Sequence, residues 1–211
     1  MSSFLPPECF VDRSQNSNDQ PGLCPFFNGL PDNPSVDQID KALISAVITA
    51  QRNAMPKFKR TIASSFIKDI VTSDGEAVEI AYIQHTSNII WALEDLFEGD
   101  ATIKERLDSI FDNPEKAHLD SEMLDRGFYH MGFIYAMFWY AITGTVANPN
   151  TCVSLNHLHA EEIEKTLHEL DRELSRKSTQ ASAPKKSSSL PYWILKLVVG
   201  FIIGIIIKSC S

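Results

Sequence analysis

The hydrophobic positions of the chain recur with helical spacing through most of its middle. After Pro34, apolar residues repeat on one helix face, and Ser35 and Gln38 have the spacing of a capping box. Pro56 is expected to end this first helix, and a second amphipathic segment is expected before the turn-forming run at 72–75. The first face consists of Val36, Ile39, Leu43, Val47 and Ala50, and the second of Phe58, Ile62, Phe66 and Ile70.

Three more amphipathic helices are predicted further along. Ser73 and Glu76 form a capping box before a long helix that runs from Val78 to Phe97, and Asp112-Asn113-Pro114 ends a short helix after it. A last helix runs from about Thr151 to Arg176. The short helix contributes Ile103, Leu107, Ile110 and Phe111, and the last one Leu155, Ile163, Leu167, Leu170 and Leu174. Strand-type alternation is absent, which predicts an all-α fold.

The segment from Phe128 to Val146 is apolar on every side instead of on one. Such a helix must be enclosed, either by other helices or by lipid. Its 19 residues could span a bilayer, but basic clusters do not flank it. We therefore interpret it as the buried central helix of a bundle.

Composition shifts divide the chain into four parts. Residues 1–33 are predicted to be a flexible leader, 34–176 the helical bundle, 177–189 a Ser/Lys-rich tether and 190–208 a C-terminal transmembrane anchor. The apolar run of the anchor is about 24 Å long as a helix, enough for a thin bilayer with lysine snorkelling, although a buried core helix is the alternative. The anchor residues are Tyr192, Trp193, Lys196, Phe201, Ile205 and Lys208.

Charge and cysteine content narrow the class of partner. Residues 1–175 hold 13 Lys or Arg against 27 Asp or Glu, a net charge of -14, which argues against nucleic-acid binding. The first 15 residues do not resemble a secretory signal, so a cytosolic body is expected. The four cysteines, which predict neither a zinc site nor a disulfide framework, are Cys9, Cys24, Cys152 and Cys210.

Motifs for nucleotide binding, hydrolysis and metalloprotease chemistry are absent from the sequence. We therefore predict no enzyme, no cofactor and no metal site. His157 and His159 are two residues apart, a poor metal pair on a helix, and both are expected at the surface. His85 and His118 leave one alternative open, a tail-anchored globin-like haem protein.

Residues 122–139, EMLDRGFYHMGFIYAMFW, resemble the first homology motif of the Bcl-2 family of apoptosis regulators. Gly127 and Gly132 match the two glycines of that motif, and the second glycine would let another helix approach the central helix closely. His130, Met131 and Phe133 stand where the family has Asn, Trp and Arg. The third homology motif is resembled by Ile83, Ser87 and Asn88, with Ile90 in the next apolar position. A Trp-containing second motif is not visible after Asn150.

The resemblance implies a binding protein on the cytosolic face of the mitochondrial outer membrane or the endoplasmic reticulum, able to form homo- or hetero-oligomers. Its partners would be amphipathic death-motif helices, held in a groove between the Val78–Phe97 helix and the central helix. The expected groove residues are Ile83, Ser87, Asn88, Ile90, Arg126, Gly127, His130, Gly132 and Phe133. A tail-anchored tethering adaptor that uses the Thr151–Arg176 helix is a further alternative.

Overall fold

The computed structural model describes residues 27, 30–67, 76–127 and 129–180. These residues form helices and contain no strand, so the all-α prediction is confirmed for this part of the chain. The helices are α1 (Val36–Ile67), α2 (Glu76–Leu96), α3 (Ala101–Asp112), a 3-10 turn (Pro114–Ala117), α4 (Ser121–Arg126), α5 (Met131–Thr143) and α6 (Pro149–Gln180).

The first helix is a single element where two were predicted. Its capping box forms as expected, because the Ser35 backbone N–H donates to Gln38 Oε1 at 2.8 Å and the Gln38 N–H donates to Ser35 Oγ at 3.3 Å. The prediction that Pro56 ends the helix is wrong, since α1 continues through it to Ile67. Proline removes one intrahelical hydrogen bond, and the buried face continues beyond it through Phe58 and Ile62, whose packing outweighs that loss.

The central helix is α5, and the prediction that protein encloses it is confirmed. Eleven of its 13 residues are buried, against α1, α3, α6 and the 3-10 turn. Gly144 ends it with a φ of 70°. The Arg106 guanidinium of α3 donates to the carbonyl oxygens of Ala141 and Ile142 at 3.1 Å each. Helix α3 therefore supplies hydrogen bonds to two carbonyl groups at the C-terminal end of α5.

The buried apolar side chains form two clusters. The main cluster surrounds α5 and includes residues from α1, α2, α3 and the start of α6. The distal cluster lies where the later part of α1, the start of α2 and the later part of α6 meet. Its buried members are Phe58, Ile62, Ala81, Tyr82, Ile163, Leu167 and Leu170. Three helices therefore pass through both clusters, whereas α3 and α5 contribute only to the main one.

The remaining boundaries differ slightly from those predicted. In α3, Ile103, Leu107 and Ile110 are buried as expected, but Phe111 is exposed. Helix α6 ends at Gln180, inside the range predicted as the tether. None of the helices in the described ranges combines the length and apolar character needed to cross a bilayer. The predicted anchor at 190–208 lies outside the described residues, as do most of the leader and the rest of the tether.

Candidate binding cleft

A cleft of about 390 Å³ lies beside the start of the central helix, between the 3-10 turn with α4 on one side and the loop into α6 on the other. Its size falls within the range of ligand-binding pockets. Most of its lining side chains are apolar. The lining residues are Ala117, His118, Leu119, Asp120, Met123, His130, Gly132, Phe133, Ala136, Val146, Ala147, Pro149, Cys152, Val153 and Asn156.

One wall of the cleft is formed by a tight reversal of the chain after α3. Pro114 opens the 3-10 turn, and His118 ends it in the left-handed region with a φ of 55°. The Leu119 N–H then donates to the Pro114 carbonyl at 3.1 Å. This reversal buries Leu119 and carries the chain to Asp120, whose carboxylate accepts from the Glu122 N–H at 2.8 Å and begins α4.

The base of the cleft depends on a close approach of α6 to α5 at Gly132. A Cβ atom at this position would lie 2.3 Å from the Cys152 carbonyl oxygen, so only glycine fits. The Gly132 N–H donates to Asn156 Oδ1 at 2.7 Å, which satisfies one of the free amide groups at the start of α5. The expected close helix approach at this glycine is therefore present, and the approaching helix is α6.

Of the predicted groove residues whose side chains the structure describes, three line this cleft, namely His130, Gly132 and Phe133. These three residues form one wall of the cleft. The opposite walls, which come from Leu119, Met123 and the start of α6, were missed. The only signal for them was the Asn113-Pro114 break, which predicts a turn but not the direction in which the chain leaves it.

The predicted groove residues of α2 lie elsewhere, because α2 packs most extensively against α1. Ile90 is buried in the main cluster, and Asn88 Oδ1 accepts from Lys57 Nζ of α1 at 3.0 Å. Ser87 is half-buried. Ile83 faces the end of α4, where its Cγ2 atom would lie 3.5 Å from a Cβ atom on Gly127. The α2 side of the groove stays a prediction.

Gly127 ends α4 in the left-handed region, with a φ of 67°, as a helix-terminating glycine commonly does. Arg126 is the last residue of α4, and its side chain lies outside the described part of the structure. The two residues set the direction in which the chain leaves α4 for α5. Gly127 is not among the described residues that line the cleft.

Three histidines are buried between the two apolar clusters, and we call His85, His130 and His159 the imidazole layer. Their exposed fractions are 1%, 2% and 1%. The expectation that His159 lies at the surface is therefore wrong, although His157 is exposed. His159 occurs four residues after Leu155 and four before Ile163, so it lies on the buried seam of α6.

The rings of this layer contact one another and neighbouring aromatic rings. The centroid of His85 lies 5.7 Å from that of His159 and 5.0 Å from that of Phe58. Tyr82 stacks on His159 at 5.6 Å, and its hydroxyl lies 3.4 Å from His130 Nδ1. Both ring nitrogens of His85 and the Nε2 atoms of His130 and His159 have no hydrogen-bond partner among the described residues.

Burial keeps these rings neutral. It lowers the pKa of His85 to about 4 and that of His130 to about 4. The Ala54 backbone is near enough to His85 to oppose this shift in part, but it lies outside good hydrogen-bond geometry. Burial also lowers the pKa of His159 well below its usual value, and the neighbouring His85 and His130 lower it further.

The histidines considered for haem occupy unrelated places. His85 is sealed between Phe58 and His159, whereas His118 is exposed at the rim of the cleft. The described residues contain no group of three or more His, Cys, Asp or Glu side chains that could hold a metal ion.

The adaptor alternative would use the apolar face of α6 to pair with another helix. That face already packs inside the protein, because Leu155, Ile163, Leu167 and Leu170 of α6 are buried.

The chemistry of the cleft is that of a binding surface for apolar groups. Among the described residues that line the cleft, Asp120 is the one carboxylate, and that side chain caps α4. Cys152, which is half-buried and forms no disulfide, also lines the cleft. Comparisons of the chain with protein-family models, with curated proteins and with solved structures found no match.

Proposed function

We propose that this protein is a membrane-anchored apoptosis regulator of Bcl-2 type, which binds an amphipathic death-motif helix of a partner protein in an apolar cleft. The observation that carries the proposal is the cleft at the start of the buried central helix. It is lined by His130, Gly132 and Phe133, three residues of the segment that resembles the family's first homology motif.

The cleft suits the apolar face of a helix. Leu119 and Met123 face it from one side, Phe133 and Ala136 from the central helix, and Val146 from the loop before α6. A partner helix that inserts apolar side chains three or four residues apart would bury them here, and the hydrophobic effect would supply most of the affinity. Truncation of a well-buried anchor should cost about 2 kcal/mol of binding free energy or more.

The proposed location follows from the sequence of the tail. The predicted anchor at 190–208 would hold the body at the cytosolic face of the mitochondrial outer membrane or the endoplasmic reticulum. Binding would then restrain or activate partners at that surface. Such a role needs neither a cofactor nor a catalytic residue.

Two valines at the surface offer a matched test. Val146 is 44% exposed and lines the cleft, whereas Val36 is 67% exposed at the start of α1 and does not. Val146→Glu would place a charge where an apolar anchor must be buried. We therefore expect the dissociation constant for death-motif peptides to increase at least tenfold. Val36→Glu should change that constant less than twofold. Titration calorimetry of the full-length chain in mild detergent measures both.

Cys152 provides an independent measure of where the peptide binds. With Cys9, Cys24 and Cys210 replaced by Ser, the rate at which a thiol reagent labels Cys152 should fall when the peptide binds at the cleft. Binding without protection of Cys152, and with equal affinity for both valine variants, would place the peptide elsewhere. Absence of binding by the folded protein to any peptide of the panel would remove the proposed function.

A further inference from the structure

The imidazole layer separates two parts of the body that are otherwise apolar. The later half of α1, the start of α2 and the later half of α6 form the distal cluster on one side, and α5 with the main cluster lies on the other. Gln51, Thr86 and Asn156 are buried polar residues outside the imidazole layer. Along α2 and α6, His85 and His159 occur between the residues of the distal cluster and those of the main cluster.

Each of the three rings has at least one nitrogen that is buried without a hydrogen-bond partner among the described residues. A neutral imidazole tolerates this at a modest cost, whereas an imidazolium would have to bury a charge and leave at least one N–H unsatisfied. Two such charges on His85 and His159, with ring centroids 5.7 Å apart, would also repel each other. His130 lies at the start of α5, where the helix dipole disfavours a positive charge.

The groups that face the rings offer no compensating negative charge. Helix α1 presents Phe58 and α2 presents Tyr82, while the residue before His130 is Tyr129. Helix α6 presents His159 itself, and its Glu169 and Glu173 bind Lys59 of α1 at the surface. Among the described residues, no carboxylate contributes to the pKa of any of the three rings.

We propose that the imidazole layer is an acid-sensitive conformational switch, in which protonation of its histidines separates the distal ends of α1, α2 and α6 while the main cluster stays folded. Opening at this level exposes the nitrogen atoms to water and separates the charges. His85 contacts Phe58 and His159 stacks on Tyr82, both members of the distal cluster, so opening disrupts that cluster and leaves the packing of the main cluster in place. Because His130 and Asn156 also line the cleft, opening changes the shape of the cleft as well.

The direction of the pH effect follows from the folded and open states. The pKa of His85 and of His130 is about 4 when folded and 6.5 when open, so the open state binds more protons between these values. The closed state is therefore fully stabilised above pH 6.5 and loses stability as the pH falls toward 4. Each of these two histidines raises the opening equilibrium constant about 80-fold between pH 6.5 and pH 4, and about 300-fold across its complete titration, with a slope of up to about tenfold per pH unit.

Amide hydrogen exchange of the full-length protein, expressed as protection factors from pH 7.5 to 4, tests the switch. Protection should fall below about pH 6 in residues 58–64 and 161–173, while the amides of 133–143 stay protected. A plot of the logarithm of the opening constant against pH should have a slope that approaches -3, which corresponds to the uptake of three protons on opening. Constant protection of the distal segments down to pH 4, or simultaneous loss of protection in α5, would overturn the proposal.

Histidine variants measure how many protons are taken up on opening. His85→Phe, His159→Phe and His130→Asn should each reduce the slope by about one proton, and His157→Asn, an exposed neighbour on α6, should leave it unchanged. If a variant does not fold, NMR titration of the wild-type histidine side chains gives the same answer, because the three buried rings should take up protons only as the distal amides lose protection. Wild-type slopes in all three variants, or titration of the rings without opening, would contradict the proposal. Neither result depends on peptide binding, so the switch and the proposed function fail independently.

Discussion

At the scale of single residues, Gly132 is the position at which the smallest change should have a large effect. Helix propensity alone predicts that Gly132→Ala stabilises the protein by up to about 1 kcal/mol. The structure predicts the opposite, because the added Cβ would meet the Cys152 backbone oxygen at 2.3 Å and backbone cannot move as a side chain can. We expect a loss of about 1–3 kcal/mol of unfolding free energy, measured by urea denaturation. An unchanged or higher stability would show that α6 does not approach α5 this closely.

The close helix approach at Gly132 was predicted from the sequence, whereas the burial of His159 was not. A close approach of another helix was expected at this glycine, and the structure has that approach. His159 was judged by its residue type, and an isolated histidine on a charged helix is usually exposed. Its spacing from Leu155 and Ile163 placed it on the buried seam, and this periodic signal was available in the sequence. The contact with His85, which is distant in the chain, could not be read from local spacing.

At the scale of helices, α1 shows where local rules fail. Pro56 is an exposed residue inside a continuous helix, so its missing hydrogen bond is a local cost that the packing on either side compensates. Pro56→Ala should therefore raise the unfolding free energy by about 1–2 kcal/mol. This gain is less than the full helix-propensity difference, because alanine also increases the conformational entropy of the unfolded chain. Arg52→Ala, another exposed position on α1, should stay within about 0.5 kcal/mol. Thermal unfolding measures both, and no gain from Pro56→Ala would favour two separate helices.

Helix existence was easier to predict than the paths between helices. The buried faces of α3, α5 and α6 follow from apolar spacing alone, and the structure has them near the predicted places. The wall of the cleft depends instead on His118 in a left-handed conformation. Histidine adopts that conformation only occasionally, so the sequence could indicate a break at Pro114 but not the turn that brings Leu119 beside Phe133.

At the scale of the whole molecule, the two apolar clusters are joined by three continuous helices. Leu167 is 1% exposed in the distal cluster, and Leu167→Ala should cost about 2–5 kcal/mol by loss of packing and creation of a cavity. At pH 7.5 the imidazole layer is neutral, so we expect this loss to destabilise both clusters in one cooperative transition.

Trp139 makes this expectation measurable, because it is buried in the main cluster and its indole N–H donates to Thr145 Oγ1 at 3.2 Å. In a chain with Trp91→Phe and Trp193→Phe, its fluorescence reports the main cluster while far-UV circular dichroism reports all the helices. Both midpoints should move together to lower temperature in Leu167→Ala, as they would in Leu93→Ala of the main cluster. A Trp139 transition that stays in place while the dichroism transition splits would mean that the clusters are uncoupled even at neutral pH, and that α1, α2 and α6 do not transmit stability between them.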